Sequence, residues 1–178
     1  MKKGSRGFSL IELLIVVAII LIIAAIAIPN LLRSRIAANQ ASAVGSLRTL
    51  NTAEVTYATT YNTGFSATLG DLGPQAGGGT SPAPVATAAG LVDEVLSGTN
   101  GSGGTAGALA TVSSKSGYSF TYTPGTADLS GKVNSYSITA TPVSAGTTGT
   151  NYYYTDQSGV IRQNSTAVAG STDSPLAG

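Results

Sequence analysis

The sequence predicts an α+β chain. A long N-terminal helical spine, its first half fit to span a membrane and kinked at Pro29, packs against a C-terminal head built on a four-stranded antiparallel sheet. Three observations predict this. Residues 8–28 are apolar except for Ser9 and Glu12. Beyond Pro29, Leu32, Ile36, Ala43, Leu47, Leu50, Tyr57 and Tyr61 step by three, four or seven, the spacing of one helix face. From residue 117 the period shifts to two, as in a strand with one buried side.

Composition removes most enzyme classes first. The chain of 178 residues contains no histidine and no cysteine. That excludes a Ser-His-Asp triad, a thiol nucleophile, and thiolate or imidazole metal centres. The length fits one modest domain plus an anchor. Charged residues make up 10% of the chain, the net charge is +1, and Gly, Ser, Thr and Ala dominate after residue 60. No disulfide staples the fold, and no compartment follows from that alone. The expectation is a non-enzyme.

At about 1.5 Å per residue, residues 8–28 reach roughly 30 Å, one hydrocarbon thickness. Lys2, Lys3 and Arg6 precede the run while Arg33 and Arg35 follow it, which places the N-terminus in the cytoplasm by a slight positive-inside bias. Three readings compete. A secretory signal peptide would use Ala25-Ile26-Ala27 for cleavage, yet the run exceeds the usual h-region and contains an acid. A plain signal anchor leaves Glu12 unexplained. Cleavage after Gly7 would instead discard residues 1–7 as a leader and leave the whole helix on the mature protein, with Phe8 first.

The residues "RGFSLIELLIVVAIILIIAAIAIPNL", 6–31, resemble the N-terminus of a type IV prepilin. That family has a short basic leader ending in Gly, a methylatable Phe, Glu at the fifth mature position and Pro at the twenty-second. Gly7, Phe8, Glu12 and Pro29 occupy those places. The resemblance implies cleavage after Gly7 by a membrane prepilin peptidase, N-methylation of Phe8, and assembly in which Glu12 of one subunit accepts the Phe8 amine of its neighbour. A charged acid inside a bilayer helix costs about 2.5–3.5 kcal/mol on insertion scales, so a cationic partner answers why Glu12 is tolerated. Snorkelling to the interface is the alternative. One departure stands out: many pilins carry Gly at the fourteenth mature position, where this chain has Leu21. Unwinding is therefore expected to centre on Pro29, which removes one backbone hydrogen bond and crowds the preceding turn.

The spine is expected as one helix from Ser9 to Tyr61, with an amphipathic second half over residues 29–61 whose polar flank carries Arg33, Arg35, Asn39, Gln40, Arg48, Asn51 and Glu54. Gly45 interrupts it at a cost of about 1 kcal/mol relative to Ala. Asn62-Thr63-Gly64 ends it, with Gly64 as the left-handed cap. The head, residues 62–178, opens with a loop region over 62–116 that contains Gly, Ser, Thr and Pro tracts at 73–84 and 97–108. A short helix is expected over 86–96, with Asp93 and Glu94 on its solvated side. A β-meander over 117–165 follows. Tyr118, Phe120 and Tyr122 alternate in one strand and Tyr136, Ile138 and Ala140 in the next. Two more strands flank a turn at Asp156-Gln157-Ser158-Gly159. Residues 166–178 read as a loose tail.

Other chemistry is weakly signalled. Asp156, with Asp128 or Asp173, raises calcium as a possible cofactor, because oxygen ligands suffice; turn chemistry is the better account, so no cofactor is expected. The six aromatics Tyr118, Phe120, Tyr122, Tyr152, Tyr153 and Tyr154 read as core and cross-strand pairs rather than a binding platform. Arg33, Arg35 and Arg48 form no basic stripe for nucleic acid.

The function expected is a structural subunit, stored in the bacterial inner membrane and polymerised through its apolar helix into a surface filament for adhesion, motility, DNA uptake or electron transfer. Its partners are copies of itself, the prepilin peptidase and, by resemblance, an assembly ATPase and an inner-membrane platform protein. A major pseudopilin of a type II secretion system, working in the periplasm, and a monomeric membrane-anchored binding domain are the alternatives.

Overall fold

In the computed structural model the described residues are 8–74, 84–98 and 111–176. The chain divides into two compact units, residues 1–35 and 36–178. Helix α1, Leu10–Tyr61, runs through both.

The first unit contains α1 as far as Arg35 and little else among the described residues. Its large apolar side chains have no cover: Phe8 is 78% exposed, Leu21 63% and Leu31 69%. Helical conformation continues through Pro29 in the single chain; the unwinding expected to centre there belongs to the assembled fibre. One missing N–H is a loss that a 52-residue helix absorbs, since every other turn stays bonded.

The second unit is a sheet laid over the rest of the helix. After α1 comes a one-turn helix, α2, Leu69–Leu72. Five strands follow: β1 Val112–Lys115, β2 Tyr118–Pro124, β3 Tyr136–Pro142, β4 Tyr152–Asp156 and β5 Arg162–Asn164. They lie in sequence order and pair antiparallel throughout. The meander therefore has five strands, not four. The extra strand, β1, is short and polar, with no alternation to announce it. What makes it is the turn Ser116-Gly117, whose φ values of 50° and 74° suit a two-residue hairpin that follows the strand twist.

Period-two alternation sends Tyr118, Phe120 and Tyr122 of β2, Tyr136, Ile138 and Ala140 of β3, and Tyr153 of β4 inward. They meet Ala43, Leu47, Leu50 and Tyr57 of α1 in a single core cluster that also includes Leu69, Leu72 and Leu96. Polar side chains at the edge of α1 stitch the two layers. Asn39 Nδ2 donates to the Thr148 carbonyl at 2.9 Å, and Asn51 Nδ2 donates to Thr155 Oγ1 at 2.9 Å. Tyr136 donates its hydroxyl to Asn51 Oδ1 at 3.0 Å. On the exposed side, Thr49, Thr52 and Thr56 turn their hydroxyls back to carbonyls four residues earlier; Gly45 has open space around it. Back-bonding of this kind is how hydroxyl residues are accommodated mid-helix.

Three further expectations are corrected. Residues 86–96 form no helix: Val85 and Ala88 make an isolated bridge and the chain then turns, with Ser97 N–H reaching the Asp93 carbonyl at 3.0 Å. Leu91, Val92, Val95 and Leu96 are too few to sustain a helix, and Asp93, whose Oδ1 accepts the Leu96 N–H at 2.9 Å, caps a single turn. The helix that does form nearby, α2, has a capping box in which Thr68 and Asp71 bond each other's backbone N–H groups. The helix terminator is Asn62, at φ 54° with its N–H on the Ala58 carbonyl. Gly64, at φ 82°, serves a close approach instead, since a Cβ there would stand 2.3 Å from the Val133 carbonyl oxygen. Residues 166–176 are tied down: Gln163 N–H donates to the Ser174 carbonyl, Leu176 N–H donates to the Ile161 carbonyl, and Arg162 donates to the Asp173 carbonyl. That return covers the β5 edge with a Pro-containing segment, which guards against edge pairing.

Candidate assembly site on the N-terminal helix

Ser9 is the last residue before α1, and Glu12 is the acid in its first turn. Glu12 Oε2 accepts the Ser9 backbone N–H at 3.0 Å, and Leu13 N–H bonds the Ser9 carbonyl at 3.2 Å. This is the returning half of a capping box, in which the third helical residue satisfies an N–H that the helix leaves orphaned. A negative charge there also faces the positive end of the helix dipole. Sequence reasoning missed Ser9 in this role, although Ser-x-x-Glu before an apolar run is the signal for it. The bond directs the Glu12 carboxylate toward the N-terminal end, where Phe8 precedes Ser9. Phe8 is exposed. Gly7 and the cleavage expected after it lie outside the described residues. Pro29 lies within the helix, seventeen residues beyond Glu12 by numbering, and the two share no contact.

The remaining candidates are in the second unit and are occupied locally. Asp156 Oδ1 accepts Ser158 N–H at 2.9 Å in the expected turn, which Gly159 closes at φ 73°. Asp128 accepts Ser130, Lys132 and Asn134, and the hydrogen bonds hold it well below the ordinary carboxylate range, the Ser130 hydroxyl foremost. Asp173 accepts Gly170 N–H and Asn164 Nδ2. Each aspartate organises its own loop, and among the described residues no three acidic side chains gather. Of the six aromatics, Tyr118, Phe120, Tyr122 and Tyr153 are core; Tyr152 and Tyr154 lie half-exposed on the outer face of β4. Burial pushes the Tyr118 hydroxyl up to about 12.

Glu54 differs most from its sequence reading. Placed on the polar flank by periodicity, it is 0% exposed. Its carboxylate meets the backbone N–H and hydroxyl of Ser66 at 2.9 and 2.6 Å. Burial raises its pKa above the ordinary carboxylate value, and the Ser66 hydrogen bonds oppose that rise.

Comparison with known proteins falls on the first helix. The family of the prokaryotic N-terminal methylation motif matches residues 2–28. The type IV major pilin protein PilA of Myxococcus xanthus is 51% identical over 53 residues, 30% of this chain and 24% of that one. The type IV wide pilus major component PilA4 of Thermus thermophilus is 62% identical over 37 residues, 21% of this chain and 28% of that one. The N-terminal segment of the chain is similar to the same segment of type IV pilins. No solved structure matches it. The alignments span about a quarter of the length of the curated relatives. The matched motif contains both Phe8 and Glu12, together with the apolar run that has no cover. The long helix and the antiparallel sheet are the α+β architecture that the resemblance implies.

Proposed function

We propose that the chain is the structural subunit of a type IV pilus-like surface filament. It is stored in the inner membrane with its N-terminus cytoplasmic, cleaved after Gly7 by a prepilin peptidase, methylated at Phe8 and polymerised through its apolar helix. The observation that carries this reading is the bare apolar surface of α1 from Leu10 to Ile28, interrupted only by a carboxylate aimed at the N-terminal end. Water does not tolerate so continuous an apolar surface. A bilayer covers it before assembly and neighbouring helices cover it afterwards.

The Ser9 bond uses one carboxylate oxygen of Glu12, Oε2. Oε1 has no partner among the described residues and is the atom that would accept the cationic amine of a neighbouring Phe8. Such a pair sets register more than it adds stability, because desolvation offsets the attraction. Contacts between unlike patches generate an open fibre rather than a closed ring. The relatives' names, major pilin and wide pilus major component, favour the pilus over a periplasmic pseudopilus.

Mass spectrometry of material sheared from the cell surface tests the reading. The expected species begins at methylated Phe8; one beginning at Met1, or after Ala27, overturns it. Glu12→Ala should leave precursor cleavage intact and reduce filament incorporation by at least tenfold. Normal filament yield in that variant would refute the assembly role.

A further inference from the structure

Glu54 is fully buried within the second unit, and the groups around it can be audited proton by proton. Ser66 N–H donates to Glu54 Oε2 at 2.9 Å. Ser66 Oγ lies 2.6 Å from Glu54 Oε1 and 3.2 Å from the Tyr122 hydroxyl oxygen. The Tyr122 hydroxyl donates to the Ser66 carbonyl at 2.7 Å, so its single proton is committed. Ser66 Oγ–H has two acceptors in reach, Glu54 Oε1 at 2.6 Å and the Tyr122 oxygen at 3.2 Å, and can serve one of them at a time. Both contacts are served together when a Glu54 carboxyl proton is donated to Ser66 Oγ and the Ser66 proton goes to Tyr122. With Glu54 protonated, four protons serve four contacts. With Glu54 ionised, Ser66 has one hydroxyl proton for two acceptors, and the buried Tyr122 oxygen goes without.

The charges near Glu54 point the same way. Asp71 of α2, Tyr57 of α1, Tyr122 of β2 and Tyr136 of β3 are the titratable groups that interact with it. All are acids. Among the described residues no Lys or Arg lies within ion-pair distance of it; the ion pair observed is Lys115–Asp93. An ionised carboxylate buried without a cation is costly, and neutralisation is the usual escape.

We propose that Glu54 is held as a neutral carboxylic acid and acts as a latch between α1, the Ser66 turn and β2, which ionisation opens. The sign follows from proton counting. Below the unfolded pKa of about 4.5 both states hold the proton and the full contribution is present. As pH rises from there toward the raised folded value, the folded state holds one proton more, and the folding constant falls by up to tenfold per pH unit. Asp93, Asp128 and Asp156, by contrast, have lowered values. Their opposite-signed contributions change below about pH 4, which leaves the window above pH 4.5 to Glu54.

The test is equilibrium denaturation of the full chain in detergent micelles between pH 4.5 and 8. The wild-type folding constant should fall with pH, and Glu54→Gln, which keeps the shape and a donor, should flatten the curve. A flat wild-type curve, or an equal slope in Glu54→Gln, overturns the latch. Should Glu54→Gln fail to fold, infrared spectroscopy of glutamate-labelled chain gives the answer without it. In a Glu12→Gln background the labelled residues left are Glu54 and Glu94. A protonated-carboxyl band at pH 6 supports the proposal, and carboxylate bands alone refute it. Neither measurement requires a filament, so the latch and the assembly role stand or fall separately.

Discussion

Leu32 and Leu47 belong to one apolar stripe in the sequence, and the fold gives them opposite surroundings. Leu47 is 0% exposed within the core cluster, whereas Leu32 is 52% exposed. Truncating a fully buried leucine removes its transfer free energy and leaves a void, a cost of about 3 kcal/mol within the usual range of about 2–5. At about 2.1 cal/mol/K per residue, a unit of residues 36–178 unfolds with an entropy of about 0.3 kcal/mol/K. Leu47→Ala should therefore lower the Tm of the second unit by about 10 °C. Leu32→Ala removes an exposed side chain and should shift it by less than about 2 °C. Circular dichroism of the full chain in micelles, followed at the strand signal, measures both. Equal shifts in the two variants would refute the division of the stripe into a buried and an uncovered part. So would a shift below about 3 °C in Leu47→Ala.

Other outcomes follow from single contacts. Gly64→Ala forces a Cβ against the Val133 backbone at a residue with φ 82° and threatens the adjacent Phe65 N–H to Val133 carbonyl bond of 2.7 Å. The expected cost is at least about 2 kcal/mol in denaturant titration; a loss below about 0.5 kcal/mol would show that the approach is not tight. Lys115→Ala breaks the 2.7 Å pair with Asp93, whose side chains are 34% and 50% exposed. It should cost less than about 1 kcal/mol. Asp93→Ala should cost more, because Asp93 Oδ1 also accepts the Leu96 N–H at 2.9 Å.

Periodicity made much of this architecture legible. Seven-residue steps marked Ala43, Leu50 and Tyr57, and alternation marked the inward faces of β2 and β3, because a repeated spacing reports a surface that packs. Features that depend on one residue meeting another far along the chain were not legible. Glu54 looked like a helix surface residue because its polar companion, Ser66, belongs to the following turn. β1 was invisible because its four residues, Val-Ser-Ser-Lys, alternate in nothing; the hairpin turn and the partner strand determine it. The tail looked loose because its bonds to β5 run through backbone groups and through Asp173, and composition is silent on both. At the N-terminal helix, Glu12 stood out for being an acid among apolar residues. Its bond to Ser9 was written there too, in a four-residue capping pattern.

The strand order has a kinetic consequence. Every strand pairs with its neighbour in sequence, so each ladder closes over a short stretch of chain and loses little entropy in doing so. Hairpins of this kind form on the microsecond scale, and the long-range search reduces to seating a finished sheet on residues 43–57. On the proposed function, in which one end is held in a bilayer while the rest folds, that order is an advantage. With the strands in sequence order, no strand has to be threaded between two others.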